Sequence, residues 1–350
     1  MSRRIKPLPD TATVGSLSDD VALPADAEDT ISSLSWSHAS SHLAAASWDG
    51  KVRIYNVNTT GVARGVAILN ADGPVFDCDW AEDGSMVVAG GANKQVHLLD
   101  ANTGQQATHG THDAPIRNAR FVEVLGSSAP IIATGSWDKK VKYWDIRQQN
   151  ALGTIECKDR VFSMDSKSDL LVVATAERHI HLIDLKNPTT ILKTIESPLK
   201  YQTKDVAAFT NGKGWAAACI ESRCSINTLK DVDDKKYNFT FRCHREQESG
   251  SNVSKIFAVN AIAFHPTSKS VFSTAGSDGT YQFWDYIAHT KLRKYPKVGE
   301  AITSAAFNRD GSFYAYAVGY DWSRGCAANT QDIETKIMLH PICDDDVKKK

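Results

Sequence analysis

His112-Asp113, Ser136, Asp138 and Trp144 fall within one short span of the chain. Serine, histidine and aspartate are the residue types of a nucleophile, its base and the carboxylate that orients the base, so a hydrolase using His112, Asp113 and Ser136 is one reading. The same types serve a second purpose, a buried hydrogen-bond network of His112, Ser136, Asp138 and Trp144 that ties a β-blade together. No G-x-S-x-G elbow accompanies the serine, and the network is the reading adopted. His179 and His181 alternate on one predicted strand and share a face, a spacing that can hold a metal, but no third ligand stands with them. The seven cysteines, Cys78, Cys157, Cys219, Cys224, Cys243, Cys326 and Cys343, form no C-x-x-C pair. They read as reduced, packed thiols rather than as metal ligands or a disulfide framework. Ala89-Gly-Gly-Ala92 is a turn, not a phosphate cradle, since no G-x-x-x-x-G-K-[ST] occurs. The expectation is a protein without catalysis, metal or cofactor, built to bind.

The elements that carry these residues are β-hairpins. In Thr134-Gly-Ser-Trp-Asp-Lys-Lys-Val-Lys-Tyr-Trp-Asp-Ile-Arg147 an apolar strand leads into a turn, and the return strand has a two-residue period. It closes on Trp-Asp, the dipeptide that punctuates propeller blades. The unit recurs from Leu43, Met86, Leu171, Trp215 and Val271, with a last copy split between Phe313-Tyr-Ala-Tyr-Ala-Val318 and Lys336-Ile-Met-Leu339. Most copies are spaced by roughly the 40–45 residues of a propeller blade, and the last two are pushed wider by insertions. One blade cannot bury both of its faces, so the units must stack in a ring. The fold predicted is all-β, a seven-bladed WD-repeat β-propeller over residues 20–342. Residues 20–24 would supply a closing outer strand, 1–19 a flexible N-terminal tail and 343–350 a charged C-terminal tail. Tyr237-Asn-Phe-Thr-Phe-Arg-Cys-His244 reads as the outer strand of the fifth blade, and 245–255 as a long surface loop.

Net charge is −1, which excludes a globally basic nucleic-acid binder but not a local patch. No apolar run is long enough to span a bilayer. The N-terminus lacks the apolar stretch of a signal peptide. Two surfaces remain as binding sites. Inter-blade loops and central hairpin turns share a top face that gathers Trp48, Trp137, Lys139, Arg178, Lys200, Tyr201, Arg223 and Asp278, a composition typical of interface hot spots. On the side, around the fifth and sixth blades, Phe239, Phe241, Arg242, His244 and Arg245 of one outer strand and Trp284, His289, Lys291, Arg293 and Lys294 of the next blade mix rings and cations as single-stranded nucleic acid requires.

Thr134-Gly-Ser-Trp-Asp-Lys, Ala174-Thr-Ala-Glu-Arg178, Glu196-Ser-Pro-Leu-Lys200, Asn238-Phe-Thr-Phe-Arg-Cys-His-Arg245, Ala258-Val-Asn-Ala-Ile-Ala-Phe-His-Pro266 and Tyr320-Asp-Trp-Ser-Arg-Gly325 together resemble the messenger-RNA export factor of the nuclear pore, from about Asp20 to Ile342. The resemblance implies a propeller whose top face docks the GLEBS motif of a phenylalanine-glycine nucleoporin. It also implies contact with single-stranded RNA or messenger ribonucleoprotein, a monomeric propeller, and residence in the nucleus, at the pore and envelope, with some cytoplasm. Phe241, Trp284, Asp285 and Lys291 stand where that family has its side groove, with Arg223 and Arg242 nearby; His289 and Tyr286 stand where basic residues are expected there. A sister family, the spindle-checkpoint WD-repeat adaptor that binds GLEBS motifs of checkpoint kinases, shares the stretch Pro198-Leu-Lys-Tyr-Gln-Thr203. Glu196-Ser-Pro-Leu199 and Tyr320-Asp-Trp-Ser-Arg-Gly325 favour export.

Overall fold

A computed structural model describes residues 13–24, 26–127, 129–229, 237–247, 250, 252–330 and 332–348. Seven four-stranded antiparallel sheets are arranged about a central channel. Their inner strands are Ile31–Trp36, Val75–Trp80, Ile116–Val122, Val161–Lys167, Thr203–Ala208, Val259–Phe264 and Ile302–Phe307. They number blades 1 to 7. Each inner strand contacts the next, and the seventh contacts the first, so the ring closes.

The apolar residues explain the closure. Seven hydrophobic clusters occur, and each joins one blade to its neighbour. Leu43, Tyr55 and Val57 of blade 1, for example, meet Phe313, Ala315 and Leu339 of blade 7. Blades 6 and 7 share a ring-rich cluster of Tyr281, Phe283, Tyr295, Phe307, Tyr314 and Tyr316. Both faces of every sheet are thereby covered, as a blade requires.

Every inner strand also carries a β-bulge between its first and third residues, as at Val75/Asp77, Ile116/Asn118 and Thr203/Asp205. A bulge sets two successive residues against one partner and re-aims their side chains. Phe76 with Asp77, Arg117 with Asn118, and Lys204 with Asp205 consequently all line the channel. The third-position residues stitch blade to blade. Ser33 donates to Asp77 at 2.7 Å, Asn118 to the same carboxylate at 3.1 Å, and Ser163 to Asp205 at 2.8 Å.

Val21–Ala22 forms the outer strand of blade 7, antiparallel to Lys336–Pro341 at Leu339 and Met338. The ends on either side depart from the sequence expectation. Of the N-terminal tail expected over 1–19, residues 1–12 lie outside the described residues, and residues 13–17 are docked on the ring. Thr13–Val14 adds a fifth, parallel strand to blade 6 beside Arg293 and Lys294. Gly15 follows so close to the Tyr295 ring that a Cβ would stand 2.3 Å from it. The tail expected over 343–350 instead begins with a helical turn, Asp344–Val347, whose Asp346 is buried. Composition misled in both places, because the contacts are with residues distant in sequence: Leu17 packs on the cluster shared by blades 6 and 7, and Asp345 and Asp346 pair with Arg293. The loop expected over 245–255 contains a second hairpin, Arg245–Gln247 with Ser254–Ile256.

Candidate functional site

The catalytic-looking residues separate. His112 gives Nδ1–H to Asp138 Oδ2 at 2.8 Å, and Nε2 accepts from Thr134 Oγ1 at 2.7 Å. Trp144 Nε1–H donates to the same threonine oxygen at 2.8 Å. Burial keeps the imidazole below its ordinary pKa, despite Asp138, so it is neutral and can accept from the hydroxyl. Burial alone would raise Asp138. The hydrogen bonds from His112 and from the amides of Asp113 and Lys140 more than offset it and bring it down to about 2. Ser136, expected in this network, is one step removed: its hydroxyl donates to Ala114 O at 3.0 Å and accepts from Asp138 N at 3.1 Å. Thr134, two residues earlier on the same strand face, is the link. Ser136 is fully buried, and Asp113 points outward to Lys140 at 3.2 Å, so no nucleophile–base–carboxylate array forms.

The network has a second copy, missed in the sequence. His244 meets Asp278 at 2.8 Å and Thr274 at 2.9 Å, and Trp284 Nε1–H donates to Thr274 at 2.9 Å. Asp278 is therefore a buried structural group and not a top-face contact. His181 is buried against Thr194, with Nδ1 to Oγ1 at 2.8 Å, and burial lowers it to about 4. Among the described residues no group of metal-ligating side chains gathers.

The top face is dominated by rings. Trp48 stacks on Trp322 with centroids 4.7 Å apart and interplanar angle 21°, and touches Phe76 at 5.6 Å. Phe76 reaches Trp137 at 5.5 Å, and Trp322 reaches Tyr320 at 5.6 Å. Five rings from blades 7, 1, 2 and 3 thus run in a row beside the channel, with Trp137 37% exposed at its end. The sequence marked Trp48 and Trp137; it missed Phe76, which meets rings of blades 1 and 3, and Trp322, which meets Trp48 only through closure of the ring. Trp322 holds a left-handed backbone (φ 61°) and its indole donates to Thr30 Oγ1 at 3.2 Å, so the insertion that carries it is built into the face.

Cations stand in the hairpin turns of blades 3, 4 and 5. Lys139 pairs with Asp159 at 3.4 Å, Arg178 with Glu196, and Arg223 with Glu221 at 3.5 Å. Tyr201, beside exposed Lys200, is 51% exposed. Deeper, the channel is a cavity of about 670 Å³. Arg120 is satisfied there by Asp77 and by Asp165 at 3.7 Å. Arg117 and Lys204, one level nearer the top, have no carboxylate within salt-bridge distance among the described residues; Arg117 reaches only Phe76 O at 3.4 Å. Burial depresses both below their ordinary values. Two half-buried cations facing an open cavity suit an anionic group from outside.

The side groove differs from the expectation in one respect. Phe241 and Trp284 pack on each other at 4.7 Å and are 5% and 2% exposed, so neither offers a free face for a base. Outer-strand alternation gave their common side but not their depth. The half-buried rings are Phe239 and His289, 4.0 Å apart. Arg242 is exposed and stands opposite Arg223 across the strands, and Lys291 Nζ lies 5.2 Å above the Trp284 ring. Asp285 caps its own turn, accepting from Ile287 N and Ala288 N at 2.9 Å each.

Seven sheets around a channel, Trp-Asp strand ends and His–Asp–Thr–Trp networks define a WD-repeat propeller. The model for the WD domain, G-beta repeat, matches residues 22–56, 65–100, 105–145 and 237–285. The mRNA export factor GLE2 of Chaetomium thermophilum is 45% identical over 344 residues, covering 97% of this chain and 95% of that protein. The Poly(A)+ RNA export protein of Schizosaccharomyces pombe is 46% identical over 336 residues, covering 96% and 94%. The chain belongs to this family of WD-repeat mRNA export factors. The mitotic checkpoint protein BUB3.1 of Arabidopsis thaliana is more distant, 36% identical over 330 residues and 92% of each chain.

Proposed function

We propose that this protein is a non-catalytic mRNA export factor of the nuclear pore that docks a nucleoporin GLEBS motif on its top face and contacts single-stranded RNA along the side of blades 5 and 6. The observation that carries the reading is the row of rings at the channel that Arg117 and Lys204 also line, neither of them in a salt bridge among the described residues. Rings bury a peptide's apolar side chains, and the two cations take its acidic ones. On the side, Arg242 and Lys291 supply charge for phosphates, and Phe239 with His289 supplies the ring surface. A peptide anchored above and RNA held beside it act bivalently, so weak contacts suffice.

The test is calorimetric titration with a synthetic GLEBS peptide from a nucleoporin and one from a checkpoint kinase, with Lys204→Glu as the variant. The nucleoporin peptide should bind more tightly, and the variant should lose at least about tenfold in affinity, the cost of one charge-assisted contact. Preference for the kinase peptide would favour the checkpoint adaptor, the reading that the Pro198–Thr203 stretch keeps in play. Equal binding by Lys204→Glu would remove the channel mouth from the site.

A further inference from the structure

Blade 5 holds a pair of thiols that neither binding surface uses. Cys224, on the third strand Arg223–Thr228, and Cys243, just beyond the outer strand Phe239–Arg242, bring their sulfurs to 3.7 Å. The register accounts for this. Cys224 stands opposite Phe241, and Cys243 follows Phe241 by two residues, so both thiols lie on one face of the sheet in diagonal contact. Both are buried, whereas Cys326 and Cys343 are exposed. A disulfide needs its sulfurs about 2.05 Å apart. The backbone bond from Cys243 N to Ser222 O, 3.1 Å, already holds the two strands side by side, so side-chain rotation has little gap to close.

We propose that Cys224 and Cys243 form a reversible oxidation site, closing to a disulfide with a peroxide-class oxidant. The Cys243 thiolate attacks a peroxide oxygen, the O–O bond breaks, and Cys243 becomes a sulfenic acid as water leaves. The Cys224 sulfur then attacks the sulfenic sulfur, an S–S bond forms, and a second water leaves. Two thiols are oxidised by two electrons and one hydrogen peroxide is reduced to two waters. A thiol such as glutathione reverses the step by exchange.

The two thiols are chemically unequal, which sets this order. Burial raises both. For Cys243 that is more than offset by the hydrogen bond from Cys224 and the nearby charge of His244 and Lys291, so it lies below the ordinary thiol value, while Cys224 lies well above it. The lower-pKa thiol is the nucleophile. It also lies next to exposed Arg242 at the end of a four-residue edge strand, where local opening admits a small oxidant. Closure would staple the outer strand to its neighbour immediately before His244, which reaches across to Asp278 of blade 6.

The experiment treats the full chain with hydrogen peroxide under native conditions, blocks remaining thiols with N-ethylmaleimide and maps peptides by mass spectrometry without reduction. The expected product is a Cys224–Cys243 cross-linked peptide, lost on adding glutathione, with amide exchange at 239–243 slowed about tenfold. Cys224→Ala should instead trap Cys243 as a dimedone-reactive sulfenic acid. If that variant misfolds by circular dichroism, the wild-type map decides alone. Reduced Cys224 and Cys243 after exposed Cys326 and Cys343 have been fully oxidised would overturn the proposal, as would conversion of Cys243 to sulfinic acid without a cross-link.

Discussion

Removing His340 should open the point where the two ends of the chain meet. Asp20, just ahead of the outer strand of blade 7, accepts from His340 Nδ1 at 2.6 Å and from Tyr316 OH at 2.5 Å. The other imidazole nitrogen lies 3.1 Å from Tyr295 OH and 3.8 Å from Asp346. Asp346 in turn accepts from the Cys343 amide and thiol, each at 2.9 Å, and lies 3.4 Å from Arg293. The side chains of His340, Asp20 and Asp346 are 6%, 2% and 7% exposed. His340→Leu strips a buried cation from two buried carboxylates. Such a loss costs about 3–5 kcal/mol when nothing compensates. Tyr316 and Arg293 remain, which places the expected cost near the lower end, about 3 kcal/mol. A chain of this length unfolds with an entropy of about 0.7 kcal/mol/K, so Tm should fall by about 4 °C.

The pH dependence makes the reasoning refutable. Burial lowers the His340 pKa, but the bonds to Asp20 and Asp346 outweigh it, and the value is raised overall. A raised histidine contributes stability that is complete below its unfolded value, about 6.5, and is lost as pH rises through the folded value. Asp346 is burdened by burial yet held far below the carboxylate range by His340 and Cys343, so its share is lost only in strong acid. The difference in Tm between wild type and His340→Leu, measured by differential scanning calorimetry from about pH 5 to pH 9, should be largest at the acid end and shrink above neutrality. A difference that is the same at every pH would show that His340 acts only by filling space.

Three further outcomes follow from the surfaces and the network. Trp137→Ala should weaken GLEBS-peptide binding by about 2 kcal/mol in isothermal titration, as an exposed anchor does, without shifting Tm by more than about a degree; unchanged binding would take the ring row out of the site. Arg242→Glu and Lys291→Glu should weaken single-stranded RNA binding and each reduce the slope of log affinity against log salt by about one; an unchanged slope would take the groove out of the account. Thr134→Val leaves His112 Nε2 and Trp144 Nε1 without a partner and should cost about 2–3 kcal/mol in urea denaturation, against about 1 kcal/mol for Ser136→Ala; the reverse ranking would mean the wrong hydroxyl has been placed in the network.

The ring was legible because its signal repeats. Apolar strand, turn and return strand recur at one period, which a single hairpin could not have shown. Contacts made by closure were not legible. Asp20 and His340 are 320 residues apart, and although both fall within the predicted propeller, nothing in their local patterns pairs them. Trp322 and Trp48 come from opposite ends of the chain and meet only because blade 7 abuts blade 1. Alternation also fixes the side of a strand but not how far a neighbour covers it. That is why Phe241 and Trp284 were expected as open stacking faces and turned out to be core. Thr134 and Ser136 share a face, and only the height of His112 chooses between them.

The channel separates structural from functional charge by depth. Arg120 sits among Asp77, Asp79 and Asp165, and its guanidinium joins blades 2, 3 and 4 as a buried network should, its charge met by carboxylates of the fold itself. One level higher, Arg117 of blade 3 and Lys204 of blade 5 make no salt bridge among the described residues, and the carboxylates of Asp77, Asp205 and Asp321 act on them only from a distance. Burial raises Asp205 to about 6, and its oxygens are engaged by the Ser163 hydroxyl and the Ile262 amide rather than by either cation. An unpaired, half-buried cation costs stability and would be replaced by a neutral residue at no loss to the ring. Retaining two of them, under a row of rings with the outermost tryptophan open to solvent, makes sense where an incoming acidic segment supplies the missing charge and thereby gains an affinity that the empty propeller gives up in stability.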